Sequence, residues 1–340
     1  MAHCETDPAL ERLELDGFAF PLGVCPVEPM TPKPGYSVDF EPGDGDDETG
    51  EWEEWPDRYV YDIVVPANRL ESLWRALLAQ MPPRVFPILD YIGHDAYREI
   101  DPYIAYDLVG QDRVVDWVRR YRDFFFEDGM VGFGAVSDSP FAYVFLDEHK
   151  VFTVRAEPGS RAAIERILEA FELEEIPDPA GSDAAAHEHR GVLFTPKDRP
   201  DLRTGEEIVE ELREVWQLVL NVDPEANQDD EGQDLGVTVW RGLVRYQEEE
   251  ESPQRFAEVL LTAGSLLRGE ELTHEGATTL LENDPMDLLD LSVLAIDRLT
   301  PEQAEAVLAE MPAEARLGLT KPPNLRRPRS ESVIAARWLD

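Results

Sequence analysis

The chain has 340 residues, enough for two ordinary domains, and its 72 acidic residues against 31 basic ones give a formal charge of −41. A body this negative repels phosphate backbones and anionic headgroups, which argues against nucleic-acid or membrane-surface binding; it suits a basic protein partner, a cation or high salt. An apolar share of 43% and a charged share of 30% keep the chain as a whole outside the disordered regime.

The two cysteines, Cys4 and Cys25, have no CxxC spacing and cannot staple a chain of this size. No basic segment followed by an apolar run opens the sequence. The stretch from Phe18 to Val27 is interrupted by Pro21 and Pro26 and is too short to span a bilayer. These features predict a reduced, soluble, cytoplasmic protein.

Residues 1–57 read as an acidic, Pro/Gly-rich tail, with seven carboxylates and no base between Asp44 and Glu54. Order is expected from Tyr59, where YVYDIVV is a strand pattern. Asn68 with Glu71 suggests a capping box for a helix carrying Leu70, Leu73, Trp74, Leu77 and Leu78. RVFPILDYI (84–92) and YIAYDLV (103–109) are two further strands, with Pro87 suggesting an edge position for the first. A second helix, opened by Asp112, presents Val114, Trp117, Val118, Tyr121, Phe124 and Phe125 and stops at Gly129.

Three strands follow, Met130 to Val136, Phe141 to Leu146 and Val151 to Ala156, joined by turns at 137–140 and 147–150. Ser160 then opens a third helix. The order predicts an α+β domain over 58–175, a ferredoxin-like βαββαβ order extended by ββα, with helices on one face of an antiparallel sheet.

Residues 176–203 read as a connector, and 204–312 as an all-α domain. Thr204 with Glu207 caps its first helix. GVTVWRGLVRYQ (236–247) fits helix or strand and takes the helical reading from its neighbours. Ser252–Pro253, Asp284–Pro285 and Thr300–Pro301 each place a capping side chain before an N1 proline. PMDLLDLSVLAI (285–296) is apolar nearly all round and reads as a buried helix. Residues 313–340 form a basic, proline-interrupted tail.

No motif commits the chain to a reaction, and no cofactor is expected. Gly129, Gly132 and Gly134 follow a helix and enter a strand, the reverse of a dinucleotide loop. Gly132 and Gly134 instead share one strand face and leave room for a crossing side chain. His94 and Asp95, with Glu99 and Asp101 nearby, offer metal-ligand chemistry but sit in a polar loop. His187-Glu188-His189 places two imidazoles on one face of a strand; its alanine-rich surroundings favour a linker, so no metal site is assigned. The acidic loop 223–234 lacks the glycine and terminal glutamate of a calcium loop. Asp147-Glu148-His149 pairs carboxylates with imidazole in a turn, an arrangement suited to acid–base work. No lysine is expected to be desolvated for nucleophilic catalysis. The basic cluster Arg326, Arg327 and Arg329 is expected to fold onto the protein's own acidic surface.

Two functions therefore stand. One is a non-catalytic protein-binding or regulatory module with a basic protein partner. The alternative is a metal-assisted hydrolase using His94, Asp95 and Asp101 of the 94–101 loop with Asp147 and His149 of the turn.

Overall fold

The computed structural model describes residues 3–43, 55–247, 252–281, 289–316 and 324–339. The acidic run from Asp44 to Glu54 and the Asp284–Pro285 helix start lie outside them. The chain divides into two compact units: Met1–Ile92 with Asp101–Asn221, and Gly93–Ile100 with Val222–Asp340. No helix among the described residues is long and apolar enough to cross a membrane.

In the first unit the N-terminal stretch supplies strands β1 (Glu14–Leu15), β2 (Phe18–Ala19), β3 (Val24–Pro26) and β4 (Gly35–Glu41). Then come β5 (Arg58–Val64), α1 (Ala67–Leu78), β6 (Arg84–Ile92), β7 (Ile100–Ala105) and β8 (Val109–Gly110). Helices α2 (Gln111–Arg120) and α3 (Arg122–Glu127) lead into β9 (Val131–Asp138), β10 (Phe141–Leu146) and β11 (Phe152–Ala156). The unit closes with α4 (Arg161–Ala170), β12 (His187–His189), α5 (Gly205–Trp216) and β13 (Leu218–Leu220). A nine-stranded sheet runs β13-β7-β6-β9-β10-β11-β5-β4, with β8 also on β6.

Strand alternation sends Leu89, Phe133, Leu146 and Phe152 into one core with Trp74, the three phenylalanines Phe124 to Phe126, Leu168 and Trp216 of the helices. Each such buried side chain contributes about 2 kcal/mol of transfer free energy. On the opposite face Gly132 and Gly134 lie under the Phe145 ring, where an added Cβ would press on it.

The predicted element sequence is present here, but the ferredoxin-like strand order is not: β5 lies between β11 and β4, and β6 lies between β7 and β9. Pro87 is therefore in an interior strand, paired with Ala135. The N-terminal region is not all tail, since β4 pairs along its whole length with β5. The single helix expected over 112–128 is broken at Tyr121, whose φ of −112° and ψ of 42° leave the helical region. Helix α1 takes no side-chain cap from Asn68.

The second unit overturns the all-α expectation. It contains β14 (Thr238–Gln247), β15 (Arg255–Ala263), α6 (Leu266–Thr278), β16 (Asp290–Leu299), α7 (Pro301–Glu310) and β17 (Ser332–Leu339). The strands form an antiparallel sheet in the order β16-β14-β15-β17. Helix α6 lies on one face, so close that a Cβ on Gly276 would strike Val259. Helix α7 lies on the other, with Ala304 and Leu308 against Val239, Leu260 and Leu299. Strands covered on both faces lose the polar–apolar alternation and read as continuous apolar runs, like a buried helix. Strand β15 is such a run, while the segment expected as a buried helix contributes β16, an edge strand that is only partly buried over its first half. Helix α5, assigned by sequence to this half, instead packs Ile208, Leu212 and Trp216 into the first unit's core. The basic tail ends as a sheet strand, and Arg326 pairs with Glu305 at 3.0 Å and Glu302 at 3.5 Å.

Candidate functional site

Three imidazoles meet in the first unit: His149 from the β10–β11 turn, with His187 and His189 from β12. One ring nitrogen of each lies within 4.8 Å of the others. The rings pack edge to face, with centroids 4.8, 4.8 and 5.0 Å apart and interplanar angles of 73–79°. All three are half-buried.

The turn is built by Asp147. Its Oδ1 accepts from Val151 N at 2.7 Å, while its backbone N–H donates to Val151 O at 3.0 Å. Lys150 adopts the left-handed conformation, with φ of 64°. Its ammonium is buried and donates to the Val131 carbonyl. This lysine is desolvated after all: burial lowers its pKa to about 8, against the opposing pull of Asp128, Asp147 and Glu148.

The other two imidazoles alternate along β12, so they share a face while Glu188 takes the opposite one. That strand pairs with β3 in the register His187↔Pro26, Glu188↔Cys25 and His189↔Val24. Helix α3's end pins it further. Gly129 N donates to Arg190 O at 3.1 Å, Arg190 N to Gly23 O at 2.9 Å, and Gly23 N to Glu127 O at 2.7 Å. Gly23 and Gly129 approach so closely that a Cβ on either would overlap the other's backbone. Asp128, buried, accepts from Met130 N and Val192 N, each at 2.9 Å. Glu127 accepts from Arg12 at 2.8 Å and from Leu22 N at 3.2 Å. These two carboxylates are clamps for the chain.

Each imidazole has its Nδ1 on a protein acceptor. His187 Nδ1–H donates to Ala185 O at 2.8 Å and His189 Nδ1–H to Gly129 O at 2.7 Å. His149 Nδ1 faces Glu148 Oε1 at 3.3 Å and Asp147 Oδ2 at 3.5 Å. This fixes the tautomer that leaves Nε2 as the free lone pair, the arrangement of metal-ligating histidines. Asp147 raises the His149 pKa against the effect of burial, and burial lowers that of His189. Asp90 of β6, across Gly132 in the sheet, is pushed up to about 7 by burial and by Glu148 and Asp147. The set has the donor chemistry of a zinc-class site: three imidazoles, each with one ring nitrogen held by a protein oxygen.

The structure distributes the other sequence candidates differently. Asp95 belongs to the second unit, where its carboxylate is bound by Arg298 at 2.8–3.0 Å and by the Arg298 backbone N–H at 2.9 Å. It is a buried structural anion. His94 is exposed and Asp101 is buried in β7; among the described residues neither joins a ligand cluster. Carboxylates of the 223–234 loop accept from nearby backbone N–H groups, as Asp229 does from Glu231 and Gln233. The sequence reads Asp147–His149 as a turn, as found, but favours a linker for His187–His189, which the structure makes strand β12. Their convergence had no sequence signal, because 37 residues intervene between His149 and His187.

Comparison with protein-family models, with curated proteins and with solved structures finds no match for this chain.

Proposed function

We propose that this chain is a metalloprotein that holds a zinc-class divalent cation on the Nε2 atoms of His149, His187 and His189 and uses it for metal-assisted hydrolysis. One observation carries the reading: three imidazoles converge with every Nδ1 already occupied by a protein acceptor. Tetrahedral coordination at about 2 Å needs ligand nitrogens about 3.3 Å apart, so the rings would close in on the ion from their present spacing of within 4.8 Å. Such an ion supplies Lewis acidity toward a water or a carbonyl oxygen. The residues' own part is to hold the ion, keep the imidazoles in one tautomer and place carboxylates beside the centre. The reading replaces the 94–101 loop of the sequence-based alternative with β12.

The test is metal analysis and calorimetric titration of the purified full chain with Zn(II). One equivalent bound, lost in the His187→Ala/His189→Ala variant with the fold retained by circular dichroism, is the expected result. No stoichiometric binding by the folded wild-type chain would refute the reading.

A second reading, a docking body for a basic polypeptide, is favoured by the charge of −41. Binding of a basic peptide that persists at physiological salt would support it, and binding that disappears there would reduce it to non-specific attraction.

A further inference from the structure

We infer that the trihistidine centre keeps one coordination position open to solvent, and that the ligand it accepts there is an uncharged nitrogen or carbonyl-oxygen donor in preference to an anion. The inference rests on the metal reading above and specifies its substrate class.

The open position follows from what surrounds the imidazoles. Among the described residues, no cysteine or carboxylate joins the three histidines as a fourth ligand within reach. Cys25 sits opposite Glu188 in the β3–β12 pair, on the face away from His187 and His189. The nearest carboxylates already serve the turn and the His149 Nδ1 atom. Three protein ligands and a free position distinguish reactive zinc sites from closed, four-ligand structural ones. The His149 side chain is 24% exposed, so the centre is reached from solvent.

The preference for a neutral ligand follows from local charge. Asp147 and Glu148 stand 3.5 and 3.3 Å from the His149 ring and together offset a dication. The one buried ammonium nearby, Lys150, is matched by buried Asp128. An approaching phosphate or carboxylate meets no net positive charge from these groups. A neutral ester or amide carbonyl pays no such penalty.

The experiment uses the full chain loaded with Co(II), whose visible spectrum reports coordination, titrated with imidazole and separately with azide at constant ionic strength. Imidazole should perturb the spectrum at concentrations at least tenfold below azide. In Glu148→Gln, whose side chain makes no backbone hydrogen bond that holds the turn, the azide midpoint should fall about tenfold. A bound Co(II) spectrum that neither ligand changes would mean a closed position and overturn the inference, while leaving the metal reading intact. Azide binding more tightly than imidazole would overturn the charge preference. Failure of the folded chain to take up Co(II) would remove the metal reading itself, and the inference with it.

Discussion

Ser182 Oγ donates to the carbonyl of His149 at 3.2 Å. This bond ties the β10–β11 turn to the segment carrying the other two imidazoles, so the histidines are brought together by the protein before any ion arrives. Preorganisation of this kind lowers the ordering cost of ligand binding. Ser182→Ala should therefore weaken Zn(II) binding about tenfold while costing only about 1 kcal/mol of stability. Parallel calorimetric and urea titrations would check this, and an unchanged affinity would show that the tie is dispensable.

Metal addition should stabilise the first unit. A ligand at one hundred times its dissociation constant adds about 2.7 kcal/mol if the unfolded chain does not bind it. The midpoint of thermal unfolding should rise with Zn(II), and chelation should reverse the rise. The His149→Ala variant should show no such dependence.

Asp90 gives a pH prediction. Its folded-state pKa is raised from 3.8 to about 7, so the folded chain binds this proton more tightly than the unfolded chain does. Stability from this group is full below about pH 4 and is lost as pH rises through about 7. Allowing for partial exposure, the loss is about 2 kcal/mol. Asp90→Asn in the metal-free protein should match wild type at about pH 3.5 and exceed it by about that amount at pH 8. Denaturant midpoints at the two pH values measure the difference, and equal differences at both would contradict the assignment.

The contact between Gly23 and Gly129 leaves no room for a methyl group on either residue. Gly23→Ala should destabilise the protein by about 3 kcal/mol, since overpacking against backbone cannot be relieved by rotamer change. It should also weaken metal binding, because the displaced strand β3 pairs Val24 with His189 of β12. Loss of stability without loss of metal affinity would separate the strand pairing from the site.

In the second unit, Arg298 and Asp95 are 3% and 0% exposed. Asp95→Ala strands a buried guanidinium and should cost about 3–5 kcal/mol, whereas the apolar pair Asp95→Leu/Arg298→Met should recover most of it. Equilibrium unfolding of the three variants tests this.

The sequence by itself determined what depends on local pattern. Arg84–Ile92 is the strand its apolar alternation predicted, and the Thr204–Glu207 and Thr300–Pro301 signals open α5 and α7 as expected, each with a side-chain cap. It also placed His149 in a turn beside two carboxylates, but it favoured a linker over a strand for His187 and His189, which the structure pairs as β12 with β3. Tertiary structure decided the rest. Strand β15 is sandwiched between α6 and α7, and burial on both sides erased the period-two signature by which it would have been read. The ferredoxin-like arrangement failed because strand neighbours are chosen by long-range pairing, which an element string does not encode. The site obeys the same physics. Which side chains share a centre depended on β12 docking onto β3 and the end of α3, through backbone hydrogen bonds that carry no side-chain signature, and on the glycines that let those backbones meet.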